Sequence, residues 1–398
     1  MKKHFIAGTV MLASLGAASA QGLYDIAPND DAQESSPIKW SAGLSGGWDD
    51  NVTPTLGNGD EVTYIDAYVG AALVSITPQT TWDVFGRVGG HYYIDAPVAT
   101  GDDLIGQGRL GINWAHRVSE RLRFSSRNYA AYELEPDYSY GFASDRQLEE
   151  YFHYQSDNAV GYRWSERFAT YTGVTVTGVD YGTSAQANDR LTYSFYNQFR
   201  YSTSEQTIWT LDYRYGETNA SGTAGDSTNH YVLLGVEHRF SPNSVIAVKA
   251  GMQMRDVNGG ASSDSPFAEA AIRTRVNEQF SVRAFARYSV EDYGTSFPGG
   301  TYDTNNTLRV GVSADYVVSP DLTLHGGLNY IMTDMEDGRG AVAPTADTDL
   351  LNLYLGFSYK VNDGVYVTGS YNWTDSDSDI IGRTYERNRA SLGVRVEF

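Results

Sequence analysis

The chain has 398 residues, with 29 Lys+Arg against 49 Asp+Glu, a formal charge of -20, no cysteine, 41 glycines, 30 tyrosines and only 41% hydrophobic residues. The lack of cysteine excludes a disulfide framework or a thiolate metal site, and the acidic balance argues against nucleic acid as a partner. The 13% aromatic content argues equally against disorder, so the number of domains must be read from pattern rather than from length.

Lys2 and Lys3 give a basic start, Phe5 to Leu15 a short apolar run, and Ala18, Ser19 and Ala20 a small-residue cleavage site. This predicts a signal peptide over residues 1–20 and export across the inner membrane. Cleavage removes two lysines and no acid, which leaves the mature chain still more acidic. No later stretch approaches the roughly 20 apolar residues that a membrane-spanning helix needs. Residues 21–37 are acidic, carry two prolines and have no apolar period, so they read as an irregular leader.

From residue 38 to residue 398 one signal recurs: about ten residues of apolar/polar alternation bounded by turn residues. Trp82, Val84, Gly86, Val88, Gly90 and Tyr92 alternate with Asp83, Phe85, Arg87, Gly89 and His91. Leu308, Val310, Val312, Ala314 and Tyr316 alternate with Arg309, Gly311, Ser313 and Asp315, and Ala390 to Phe398 repeats the pattern. Short links fall near residues 78–79, 118–120, 165–167, 202–205, 241–244, 277–278, 319–321 and 361–364. Longer links rich in Gly, Asp, Ser and Thr fall near 49–60, 96–103, 135–146, 179–189, 216–228, 256–265, 292–305, 333–348 and 375–385. Short links on one side and long links on the other predict a transmembrane antiparallel up-and-down β-barrel of about eighteen strands, with sixteen or twenty if one hairpin is misplaced.

Closure follows from the bilayer, where every backbone N–H and C=O needs a partner and an open sheet edge has none. The apolar face then meets lipid and the polar face lines the lumen. On the lipid-facing parity, Trp82, Trp114, Trp164, Trp209, Phe280, Tyr316, Tyr359 and Phe398 fall beside short links, while Tyr92, Tyr132, Tyr215, Tyr288, Tyr330 and Trp373 fall near long ones. Two aromatic rings at two interfaces are the expected arrangement.

The ending Ser391 to Phe398 alternates and finishes on Phe398. It resembles the C-terminal signal strand of bacterial outer-membrane barrels, and the resemblance implies that Phe398 is read by the barrel-assembly machinery. The opening strand from Ser41 to Val52 is similar to the start of the putative β-barrel porin family of the "porin 2" type. Together these imply an outer-membrane protein of a Gram-negative-type bacterium, with both termini periplasmic and with outer-membrane lipid and lipopolysaccharide as neighbours.

Few motifs promise chemistry. Gly43, Leu44, Ser45, Gly46 and Gly47 satisfy the pattern of a nucleophile elbow, yet no helix follows and Ser45 sits inside an apparent strand. The histidines after the signal, His91, His116, His153, His230, His238 and His325, are scattered singly, so no catalytic or resident metal set is expected. Asp375, Ser376, Asp377, Ser378 and Asp379 begin like a calcium loop, but Ile380 stands where Gly is needed. No cofactor is expected beyond divalent cations, which the acidic stretches with Asp49, Asp50, Asp60, Asp334, Glu336 and Asp337 are expected to hold at the outer surface against lipopolysaccharide.

The inward parity carries Arg87, Arg109, Arg123, Arg127, Arg163, Arg200, Arg214, Arg239, Lys249, Arg273, Arg275, Arg283, Arg287, Arg309, Arg389 and Arg395. The inward acids are Asp66, Asp83, Glu133, Asp157, Asp212, Glu237, Glu269, Glu291, Asp315 and Glu397. Two readings stay open: these bases pair with the acids and brace the wall, or some of them favour anions as arginine-lined pores do. The expected function is a non-enzymatic channel for passive diffusion of small polar, preferentially anionic, solutes. Alternatives are a conduit for an exported acidic polysaccharide and a plugged structural or adhesion barrel. The oligomeric state is open.

Overall fold

The computed structural model describes residues 35–52, 59–94, 103–134, 150–182, 189–221, 225–292, 296–297, 300–380 and 382–398. The expected signal peptide and most of the leader lie outside these residues. The first strands are β1 (Ser35–Asp49), β2 (Val62–Ile76), β3 (Thr80–Tyr93), β4 (Leu104–Arg117), β5 (Leu122–Glu133), β6 (Tyr151–Arg163) and β7 (Phe168–Tyr181). Next come β8 (Arg190–Ser202), β9 (Thr207–Ala220), β10 (Ser227–Ser241), β11 (Ser244–Val257), β12 (Ser262–Arg275) and β13 (Phe280–Val290). After the two-residue β14 (Ser296–Phe297) follow β15 (Gly300–Ser319), β16 (Leu322–Gly340), β17 (Ala346–Asn362), β18 (Val365–Ser378) and β19 (Tyr385–Glu397). Each barrel strand pairs antiparallel with its sequence neighbour, β14 being bypassed by the β13–β15 ladder. β1 also pairs with β19, from Ser41↔Glu397 to Asp49↔Arg389, so eighteen strands close into a barrel as the alternation predicts.

Exposure follows strand parity. Leu44, Val88, Leu110, Leu234, Leu355 and Leu392 are exposed on one parity, while Asp212, Glu269, Arg309 and Asn352 are buried on the other. Large apolar groups facing out and charged groups facing in reverse the order of a water-soluble protein, and this is what a lipid solvent selects. Exposed Trp82, Trp164, Trp209, Tyr316, Tyr359 and Phe398 sit near the short links. Near the long links, the Trp48, Trp373 and Tyr330 tips donate to Glu61, Glu386 and Asp349 at 2.7, 2.9 and 3.1 Å, fixing their polar ends at the interface.

The short links explain their own sequences. In the four-residue links 118–121, 164–167, 203–206 and 276–279, the second residue is Ser119, Ser165, Ser204 or Asn277. Its side-chain oxygen accepts from the first amide of the next strand, at 3.0, 3.1, 3.0 and 2.8 Å respectively. A short polar side chain thus replaces one backbone turn bond, which is why these positions are polar.

The upper ends differ from the sequence reading. The stretches 256–265, 292–305, 333–348 and 375–385 were expected as links, but β11, β12, β15, β16, β17 and β18 continue well into them. Beyond the hydrocarbon no lipid selects apolar side chains, so the strands continue without the alternation that would reveal them. Asp375 and Asp377 accordingly lie in extended β18 rather than in a cation-wrapping loop. At the other end β1 begins at Ser35, three residues before the expected start, across a register irregularity between Ser35 and Lys39.

Glycine and tyrosine counts also find a cause. A Cβ on Gly43, Gly47, Gly111, Gly161, Gly173, Gly311 or Gly327 would strike the ring of Tyr68, Tyr64, Phe85, Tyr171, Tyr196, Phe285 or Tyr354, respectively. Each ring belongs to the residue directly opposite in the register. The glycine lets the aromatic ring lie flat on the lumenal wall.

Candidate functional site: the barrel lumen

The lumenal face has two unlike walls. On β8 to β15 the inward charges form a buried lattice. Arg200 Nη2 reaches Glu237 Oε2 at 3.0 Å and its Nη1 reaches Gln198 at 3.1 Å. Lys249 Nζ lies 2.9 Å from Asp212 and 3.6 Å from Glu269, and Glu269 also accepts from Arg214 at 3.2 Å. Arg287 and Arg309 oppose one another in the register, a costly juxtaposition of like charges. Glu291 resolves it by reaching both guanidiniums at 2.6 Å. At this depth an unpaired charge would be expensive, and these five bases are matched by acids that reach them across the same wall.

The lattice continues to the long-link end through Arg255, which the sequence reading missed. Asp292, in the link after β13, accepts from Arg255 Nη2 at 2.7 Å, Ser227 at 2.8 Å and Thr218 at 3.0 Å, and so ties the link over three strands. Burial pushes this carboxyl up, but the Arg255 guanidinium and the hydroxyl donors more than offset it and hold it below the usual carboxylate range. Beneath it, Pro266 of β12 has no N–H to give to Val290. The Gln253 amide takes both backbone groups of Val290, at 2.9 and 3.0 Å.

The wall of β2 to β6 is sparser. Arg109 is ion-paired with Glu133, Asp66 is bonded to His91 at 2.6 Å and Asp157 accepts from Tyr196 at 2.7 Å. Arg87 directly opposes Arg109, and its guanidinium lies 3.6 Å over the Tyr68 ring. That stacking occupies the face of the guanidinium and leaves its N–H edge toward the lumen. Gly89, inward on the same strand, keeps the wall beside it recessed, with Gln107 on the rim. Arg123 and Arg163 extend the same face toward the short links, with Arg239 in the corresponding place on β10. Among the described residues, no hydrogen-bond or ion-pair partner holds the guanidinium of Arg87, Arg123, Arg163 or Arg239.

The remaining sequence-derived candidates also face inward. Arg127 opposes Asp157 in the register, and Arg273 opposes Arg283 near the short-link end, one step from Arg275. Arg395 lies 3.1 Å from Glu397, and Arg389 lies 3.2 Å from Asp49. Asp49 was expected as a solvated outer acid; it is instead 1% exposed and gripped by Arg387, whose Nε lies 3.0 Å from Oδ1. Arg190, Arg255 and Arg387 are inward cations missed at strand ends. Their parity, shared with Arg200, Lys249 and Arg389, was the available signal.

Apolar groups also enter the lumen near the long links: Val52, Val62, Tyr64, Tyr93, Ile105 and Leu134 form a buried cluster inside β1 to β5. Ser45 lies in mid-strand, opposite Asp66 and Gly393, without the strand–turn–helix corner of a nucleophile elbow. Among the described residues no group of three or more His, Asp or Glu is arranged to hold a metal ion.

Residues 266–398 match the model of the family described as "Putative beta-barrel porin 2". The match falls on the C-terminal third and does not include the opening strand from Ser41 to Val52. Solved structures similar to this chain include outer-membrane protein OpdK of Pseudomonas aeruginosa, at 11% identity and TM-score 0.49, covering 92% of this chain and 100% of that one. OccAB4 of Acinetobacter baumannii follows at 12% identity and TM-score 0.47, covering 94% and 100%. OccK2 (OpdF) of P. aeruginosa in complex with glucuronate is 11% identical, with TM-score 0.48 and coverage of 92% and 100%. No curated protein matches the chain. The chain is thus a closed eighteen-strand barrel whose C-terminal third matches the model of a β-barrel porin family.

Proposed function

We propose that the protein is a passive outer-membrane channel that carries small polar solutes down their gradients and prefers anions. One observation carries the preference. All ten inward acids predicted from the sequence have a donor or cation within reach, from Asp83 with Asn113 at 3.4 Å to Glu397 with Arg395. The guanidiniums of Arg87, Arg123, Arg163 and Arg239 have no such partner among the described residues. A solute passing along the β2–β6 wall therefore meets available cations and satisfied anions. Guanidinium offers a carboxylate or phosphate two parallel N–H bonds and keeps its charge at any relevant pH.

The test is the reversal potential of the purified barrel in a planar bilayer under a potassium chloride gradient. Anion selectivity is expected; cation selectivity overturns the preference, and absence of conductance overturns the channel. The same reading places both termini and the short links in the periplasm and takes Phe398, exposed at the β1–β19 seam, as the mark that the assembly machinery reads. It keeps divalent cations for those acids that remain at the outer surface beside lipopolysaccharide. Chelation is then expected to lower thermal stability, and an unchanged melting profile removes the cations from the picture.

A further inference from the structure

The lipid-facing surface is apolar at mid-strand almost everywhere, with Leu234, Val248, Val312, Leu355 and Leu392 marking the belt. β5 to β8 break it. Ser126 and Asn128 of β5 and Ser156 and Asn158 of β6 share the outward parity of Tyr132, Phe152 and Val160, and they sit midway along their strands. They close a ring of four hydrogen bonds. Ser126 Oγ donates to Asn158 Oδ1 at 2.7 Å, and Asn158 Nδ2 donates to Ser156 Oγ at 2.9 Å. Ser156 Oγ donates to Asn128 Oδ1 at 2.7 Å, and Asn128 Nδ2 donates back to Ser126 Oγ at 2.9 Å. Two strands further on, outward Asn197 donates to Thr172 at 3.2 Å, while its Oδ1 is buried without a hydrogen-bond partner.

The ring satisfies only part of this chemistry. An amide NH₂ has two donors, and the ring uses one from each asparagine. The remaining asparagine donors face acyl chains, which offer no acceptor. Polar residues kept at that depth call for a protein neighbour.

We propose that the outward polar patch of β5 to β8 is a lateral interface on which a second copy of this chain docks in the plane of the membrane. The chemistry of the patch selects that partner. It carries no charge, so an oppositely charged protein gains nothing there. Every group on it both donates and accepts, or pairs with one that does, so the patch complements itself, as a two-fold contact requires. Its neighbours Ala130, Val160 and Val174 are short enough for two walls to approach closely.

The chain has no cysteine, so one introduced thiol reports on one place. Val160→Cys and Val174→Cys flank the ring, and Leu355→Cys marks the opposite wall. Full-length protein is oxidised in intact outer membranes and its mass is measured in lipid nanodiscs. Covalent dimer is expected from Val160→Cys or Val174→Cys and not from Leu355→Cys, with a nanodisc mass of two chains. Adding Asn128→Leu and Asn158→Leu is expected to abolish the dimer while heat-modifiable migration shows the barrel still folded. The proposal is overturned if folded protein has the mass of one chain, if neither flanking thiol cross-links, or if Leu355→Cys links equally well.

Discussion

The two lumenal walls solve one electrostatic problem in opposite ways. On β8 to β15, Arg200, Arg214, Lys249, Arg287 and Arg309 are held by acids in a buried lattice. On β2 to β6, Arg87 rests on an aromatic face and keeps its hydrogen-bonding edge open. The sequence writes both as arginine on the inward parity. What separates them is whether an acid lies within reach across the wall, which braces one wall and leaves the other the side proposed to meet solute.

Breaking the bracing wall is expected to cost most. Glu291→Ala leaves Arg287 and Arg309 facing each other without their shared acid, and a loss of about 3–5 kcal/mol is expected from denaturant unfolding in detergent. Next comes wall geometry: Gly111→Ala drives a methyl into the Phe85 ring, whereas Gly106→Ala meets nothing within 4 Å. Overpacking of this kind costs about 1–3 kcal/mol, so the first variant is expected to melt distinctly lower than the second. Arg87→Glu removes only a stacking contact of about 0.5–1 kcal/mol, yet it is expected to shift the bilayer reversal potential toward cations. Equal selectivity in that variant would dissolve the distinction between the walls.

The smallest effect concerns pH. The folded carboxyl of Asp292 titrates below its unfolded value, so its contribution is complete above about pH 3.9 and is lost as pH falls through the lower folded value. The stability gap between the natural chain and Asp292→Asn is therefore expected to stay constant from pH 8 to pH 5 and to narrow only in stronger acid.

Much of this was legible because lipid imposes a two-residue period. The inward parity of the predicted bases follows from alternation, the strand number from the spacing of the links, and closure from the bilayer's demand for paired backbone. Alternation fails where lipid ends. Arg255 and Arg387 lie in strand ends just outside stretches that read as loops and Asp49 at the edge of another, and their pairing spans as many as 338 residues, beyond any local signal. Paired and unpaired arginines could not be separated either, since partner choice depends on the register between strands. The ring of Ser126, Asn128, Ser156 and Asn158 was present as an interrupted apolar face, and only the cross-strand geometry turns four polar residues into one feature.

The β1–β19 seam has a consequence for the order of folding. Every other barrel ladder joins strands adjacent in sequence, so each hairpin closes over a short loop at modest entropic cost. The seam alone joins the two ends of the barrel, through Trp40 with Phe398 at one end and Asp49, Asp50 and Asn51 with Arg387, Asn388 and Glu386 at the other. Those acids and amides at the end of the first strand therefore act as a latch for partners 338 residues away in sequence. Until that seam forms the sheet has two live edges, and its ladder is the least local contact of the barrel.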